Sequence, residues 1–197
     1  MLFKTESLIN AFKEWAIAVS ALAEGQTIML LRKGGIREAS KQFQVKHHQV
    51  WLYPTYEHQK PDLLKPQYST RVQEVTSGWH PTTVQIQSYG EITHVLTVED
   101  WETLQKLEPY HVWNEKMISD RFEWKPQQPL TILLLRVANL PNPVSIHYHN
   151  SYGGCKSWID LQQPISLRGL KPILTTDVYQ QQVDEILEIM TCKATNE

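Results

Sequence analysis

Eight consecutive positions, Leu130 to Val137, are apolar except for Thr131 and Arg136, and this run constrains the fold more than any other stretch. A strand with one wet face alternates polar and apolar residues, whereas an unbroken apolar strand is covered on both faces. The run is therefore expected at the centre of a sheet. Pro141 and Pro143 are expected to end it, Val144 to Tyr148 to pair again, and Trp158 to Leu161 to add one more strand.

Around this strand the periodicities predict a helix over residues 7 to 24, where Leu8, Phe12, Trp15, Val19 and Leu22 recur at three and four positions between Ser7 and Gly25. Thr27 to Leu31 and Phe43 to Tyr53 read as the arms of a hairpin turned at Gly34-Gly35. Thr83 to Gln87 and Glu91 to Val98 read as two strands about a Ser88-Tyr89-Gly90 turn. Helices are expected at Trp101, Leu104 and Leu107, at Asn114 to Asp120, and at Thr176 to Met190 with Thr176 as cap. This order lacks the strand-helix alternation of a doubly wound sheet. The expectation is an α+β fold built on a curled mixed sheet or small open barrel, with an N-terminal and a C-terminal helix packed outside. One domain over residues 1–197 follows, with sub-lobes 1–66 and 79–197, and the polar stretch from Tyr68 to Gly78 connects them.

The 197 residues suffice for a core without staples, and two cysteines without metal-ligand spacing point to a reducing cytoplasm. No apolar run approaches the ~20 residues that span a bilayer, so no membrane is expected. The net charge of −2 argues against a general polyanion binder but hides an asymmetry: residues 1–66 carry +3 and residues 67–197 carry −5. Arg32, Lys33, Arg37, Lys41 and Lys46 stand against Glu38 alone over positions 32 to 46. Such a patch either holds an anion or keeps a hairpin soluble.

Candidate site residues cluster in three places. Glycines let backbone amides approach an anion, so Gly34 and Gly35 beside Arg32, Lys33 and Arg37 read as a phosphate cradle or as a turn that needs two glycines. Tyr53, Thr55, Tyr56 and His58 offer phenol, hydroxyl and imidazole groups within six residues, either to recognise a base or to build a structural corner. His111 and Trp113, followed by Arg121, repeat that chemistry. Trp51, Trp113 and Trp124, among seven tryptophans, are further candidates for stacking walls or core.

His147 and His149 share one face of a strand and His47 adjoins His48, but no carboxylate completes a metal cage, and neither metal nor cofactor is expected. Cys155 after Gly153-Gly154 reads as a small buried cysteine in a tight turn, or as an activated thiolate. Pro61-Asp62 with Glu123-Trp124-Lys125 follows the order of a nuclease motif, but the gap of about sixty residues makes the match poor.

The segments Phe12 to Ala16, Leu30 to Glu38, Leu52 to Gln59, Tyr110 to Trp113, Leu133 to Val137 and Gly153 to Trp158 resemble the bacterial family called domain of unknown function 1802. The resemblance covers nearly the whole chain. It implies a stand-alone bacterial cytoplasmic protein, common in cyanobacteria, and assigns no catalytic residue. The second part, from Glu91-Ile92 through Leu140 to Val144 and Gln163 to Leu170, is similar in order to the PUA-like barrels, including the EVE and ASCH types. That likeness implies binding of RNA or of modified bases in an aromatic and polar cleft.

The expected function is recognition of RNA, DNA or a nucleotide: Arg32, Lys33 and Arg37 hold phosphate while Tyr53, Tyr56, His58, His111 and Trp113 shape a base pocket. Two other classes stay open. One is an enzyme acting on phosphodiesters or nucleotides, with His58 or His111 as acid-base and Glu57 or Glu123 as partner. The other is a scaffold for a protein partner. The first reading requires the cationic loop and the tyrosine-histidine segment to converge on one hollow.

Overall fold

The computed structural model describes residues 6–34 and 43–192. The described residues open with strand β1 (Ser7–Trp15), which turns at once into helix α1 (Ala16–Ala23), then come β2 (Met29–Arg32), β3 (Gln49–Thr55) and a single turn of helix, α2 (Pro66–Ser69). A long strand β4 (Thr83–Val98) leads to helices α3 (Trp101–Lys106) and α4 (Glu115–Glu123). Strand β5 (Leu130–His147), β6 (Trp158–Ser166), the two-residue β7 (Lys171–Pro172) and helix α5 (Thr176–Thr191) complete it.

The strands form one sheet in the order β2-β5-β4-β3-β1-β6, with β7 also on β5. Only β1 and β3 run parallel among the paired strands, so the sheet is mixed and the fold is α+β. Register shifts between Ile86 and Ser88 and between Ile92 and His94 bend the β4–β5 pair, because a bulged strand twists more than a regular one. The sheet curls far enough for Arg32 on β2 to reach Glu14 on β1, four places along the strand order. Each face carries a core. On β3, Val50 and Leu52 enter a core shared with α1, α4 and α5, while Trp51 and Tyr53 enter a second core with Val84, Ile86, Tyr89 and Leu161.

Several expectations are corrected. The helix expected from residue 7 is a strand as far as Trp15, because β1 feeds both cores and so lacks the clean alternation that would have marked it: Phe12 enters the first and Ala11 the second. The expected hairpin does not form, since β2 pairs with β5 and β3 lies between β1 and β4. Ser88-Tyr89-Gly90 is no turn but the middle of β4. A Cβ at Gly90 would stand 3.0 Å from Leu135 Cδ2 and 3.2 Å from Leu52 Cδ2, so glycine there permits close packing. Pro141 and Pro143 do not end β5. Asn139 faces Ser88 and Val144 faces Ile86, so residues 140–143 loop out of register and leave the prolines free of ladder bonds. Thr175, not Thr176, caps α5 by accepting the Val178 N–H.

Candidate functional site

A cleft of about 740 Å³ lies between α1, the ends of β3 and β4, and the segment from Arg71 to Trp79. Its aromatic mouth is made by Tyr56 and Trp79, whose rings meet edge to face at 6.0 Å and 90°. Both are unusually exposed for large rings, 36% for Tyr56 and 44% for Trp79. Its floor is polar, with Gln85, Gln87 and Ser88 from β4 and Asn139 from β5.

Local bonds fix each wall. Thr55 ends β3 by donating its hydroxyl to the Glu14 carbonyl at 3.0 Å. Two residues after Tyr56, His58 takes a left-handed φ of 66°, which turns the chain back so that buried Gln59 returns towards α1. Gln59 then accepts the Ile17 N–H at 2.9 Å, satisfying one of the unpaired donors in the first turn of α1. Trp79 is held through its neighbour: the Glu57 carboxylate accepts the Gly78 N–H at 2.6 Å and the Ser77 hydroxyl at 3.2 Å. The Gly78 bond, first among the causes, keeps the Glu57 carboxyl below the usual carboxylate range.

On the opposite wall Arg71 makes a two-pronged contact with Glu24, Nη2 to Oε1 at 2.5 Å and Nη1 to Oε2 at 3.1 Å, and also donates to Ser20 Oγ at 2.7 Å. The Arg71 hydrogen bond holds the Glu24 carboxyl down. This cation is thus largely neutralised in place. The floor amides are oriented by the sheet: Gln85 Nε2 donates to Ser145 Oγ at 3.1 Å, Gln87 Nε2 to the Leu140 carbonyl at 3.4 Å, and Ser88 Oγ to Asn139 Oδ1 at 2.8 Å. Carboxamides presented beside exposed rings can read the edge of a flat heterocycle while the rings stack on its face.

The residues expected as a site fall in different places. Tyr56 lines the cleft; Arg32, Lys33 and Gly34 do not. Arg32 is turned inward, with Nη2 3.0 Å from Glu14 Oε2 and donating to the Lys13 carbonyl, and its guanidinium lies 4.4 Å from the Phe12 ring centroid. Lys33 is buried and donates to the Phe122 carbonyl at 2.6 Å, and burial pushes its ammonium below the usual lysine range. Gly34 is buried, while Gly35 and Arg37 lie outside the described residues. Arg121 is half-buried beside this group, donates to the Leu31 carbonyl at 3.4 Å, and is pushed down first by burial and then by Arg32.

Tyr53 enters the second core against Tyr152, and burial raises its phenol well above the ordinary value. His111 and Trp113 are buried under the helices, 3% and 2% exposed. Burial lowers the His111 imidazole to about 3, with Lys65 adding to the effect, so the ring is neutral at physiological pH. Of the remaining acid-base candidates, His58 is exposed and lies 3.5 Å from Glu57, and Glu123 is an exposed residue of α4 that accepts from Ser119 at 3.3 Å. Asp62 pairs with Lys116 at 2.8 Å near the start of α4, about 10 Å along the helix axis from Glu123, so the two do not share a metal. Among the described residues no group of His, Cys, Asp or Glu could hold a metal ion. Trp51 and Trp113 are core, whereas Trp124 is exposed beside Lys125. Cys155, expected buried, is exposed, because the glycine turn that carries it lies outside both cores.

Sequence reasoning missed Trp79, Arg71, Gln85 and Gln87. Trp79 carried a signal: a large ring beside Gly78 at the end of a polar stretch, with no apolar periodicity to place it in a core.

The chain is similar to the ASCH protein from Zymomonas mobilis, whose crystal structure it matches at 14% identity over 89% of this chain and 93% of that one, with a TM-score of 0.44. Two mutants of that protein match at 14% identity with TM-scores of 0.42 and 0.38, again over 89% of this chain. At these scores the likeness transfers no residue role. No curated protein is similar enough to match. No helix among the described residues is long and apolar enough to cross a membrane. The family model described as Domain of unknown function (DUF1802) matches residues 11–185, and the chain belongs to that family.

Proposed function

We propose that the protein is a nucleic-acid or nucleotide recognition module whose cleft takes an unpaired base between Tyr56, Trp79 and the amides of β4. The observation that carries this reading is the exposed Tyr56–Trp79 pair at the mouth of a cleft of about 740 Å³ with a carboxamide floor. Exposed rings cost solvation unless a partner covers them, and a planar base gains from stacking on either. Gln85 and Gln87 supply donors and acceptors for its edge. Arg71 is the cation of the cleft, and Glu24 neutralises it, so affinity comes from the base more than from phosphate. Arg32 and Lys33 serve the interior in this reading.

The test is titration of the ¹⁵N-labelled protein with each nucleoside monophosphate. The Trp79 indole resonance and the Gln85 and Gln87 side-chain amides should shift together while the Trp51 indole stays put. Absence of shifts at Trp79 for every base would refute the assignment.

A further inference from the structure

A second groove, of about 400 Å³, lies between the end of β5 with residues 148 and 149 and the facing stretch of β6, with Tyr148 in its lining. The ring of His80, the residue after Trp79, lies on the Tyr148 ring at 3.4 Å between centroids and 8° between planes. Consecutive Cα atoms are about 3.8 Å apart, so the cleft-lining ring of Trp79 and the stacked ring of His80 leave neighbouring backbone positions. Tyr148 is firmly seated. Its N–H donates to the Thr82 carbonyl at 2.9 Å, and its ring meets Tyr152 edge to face at 6.3 Å and 88°. A Cβ at Gly153 would stand 2.8 Å from the Tyr148 hydroxyl, so glycine there leaves the ring its place. Tyr152 is anchored in turn, its hydroxyl accepting the Gln162 N–H at 2.9 Å.

A stack of two rings has two outer faces. Tyr148 turns towards buried Tyr152 on its side, whereas His80 is exposed, so a further flat ring can extend the stack from the His80 end. We infer that the occupant is a single-stranded nucleic acid, not a free nucleotide: one base enters the cleft at Trp79 and the next extends the His80–Tyr148 stack from its exposed His80 face. This inference rests on the cleft's taking a base. Single strands present successive rings along one backbone, and a sequence-tolerant reader meets them with successive stacking platforms.

The experiment compares calorimetric affinities of a nucleoside monophosphate, the dinucleotide and the hexanucleotide, in ribo and deoxyribo form, for the wild type and for His80→Ala. His80 is exposed, so the substitution leaves the fold intact. The dinucleotide should bind the wild type about 5- to 150-fold more tightly than the monomer, as one added base stack gives. His80→Ala should abolish that gain without altering monomer binding. Equal affinity for monomer and oligomers, or a gain that survives His80→Ala, overturns the inference while leaving the cleft reading intact. Absence of binding by any of the three probes overturns both.

Discussion

The Glu57 carboxylate accepts the Gly78 N–H at 2.6 Å, and this bond ties the segment leaving β3 to the loop that presents Trp79. Their neighbours Tyr56 and Trp79 both line the cleft, so the contact holds those two rings near one another. Removing it in Glu57→Ala should weaken base binding about fivefold and leave the melting temperature nearly unchanged, since the carboxylate is partly exposed. The carboxyl is held below its ordinary value, so the anchor is complete above the unfolded-state value of about 4.3 and is lost as pH falls through the depressed native one. Binding by the wild type should therefore persist at pH 5 and decline only in stronger acid. Calorimetric titration of both proteins from acid below pH 4 up to neutrality checks both.

Arg32 and Glu14 close the curl of the sheet, 15% and 5% exposed. Breaking a buried pair from one side strands the other charge, at a cost of about 3–5 kcal/mol. Arg32→Met should lower the melting temperature by on the order of 10 °C. Glu14→Leu combined with Arg32→Met should recover part of the loss, because an apolar pair of similar volume strands no charge. Base binding by the refolded variants should match the wild type.

His111 should make the protein sensitive to mild acid. Its imidazole is lowered to about 3 by burial, whereas the unfolded chain protonates it near 6.5, so the unfolded state binds the extra proton as pH falls between these values. Stability should drop by up to about 1.4 kcal/mol per pH unit in that window from this group alone. His111→Phe should flatten the slope by one proton, read as the urea midpoint against pH. An identical slope in the variant would exclude this origin.

The cleft's one arginine is bound to Glu24, so salt should matter little. A plot of log affinity against log salt for a short single strand should have a slope no steeper than about −1, since each phosphate contact on a single strand contributes about −0.7. A steep slope would point to cations elsewhere on the surface.

How much of this was legible in the sequence depended on how each signal is encoded. Local patterns read well: the helix expected from Asn114 to Asp120 is α4, and the apolar run at Leu130 is a strand with its residues buried in the core. Tyr56 was found because hydroxyls and rings crowd into one short segment. β1 was misread because its residues serve cores on both faces, and Phe12 and Trp15 also fit a helical period. The parallel pairing of β1 with β3 joins residues about forty positions apart, such as Ala11 and Trp51, and no local pattern records it. Arg32 and Lys33 were read as solvent-facing cations. Their inward turn depends on Glu14 and on the Phe122 carbonyl, partners that only the folded sheet and α4 bring near.

The central claim is that Trp79 is a wall for an unpaired base. The direct measurement is the affinity of a short single-stranded oligonucleotide for wild type and Trp79→Ala, taken alongside both melting temperatures. The account predicts measurable binding to the wild type, a loss of about tenfold or more in the variant, and melting temperatures that agree, because Trp79 is 44% exposed. Equal affinities for the two proteins, or no binding by either, would contradict it.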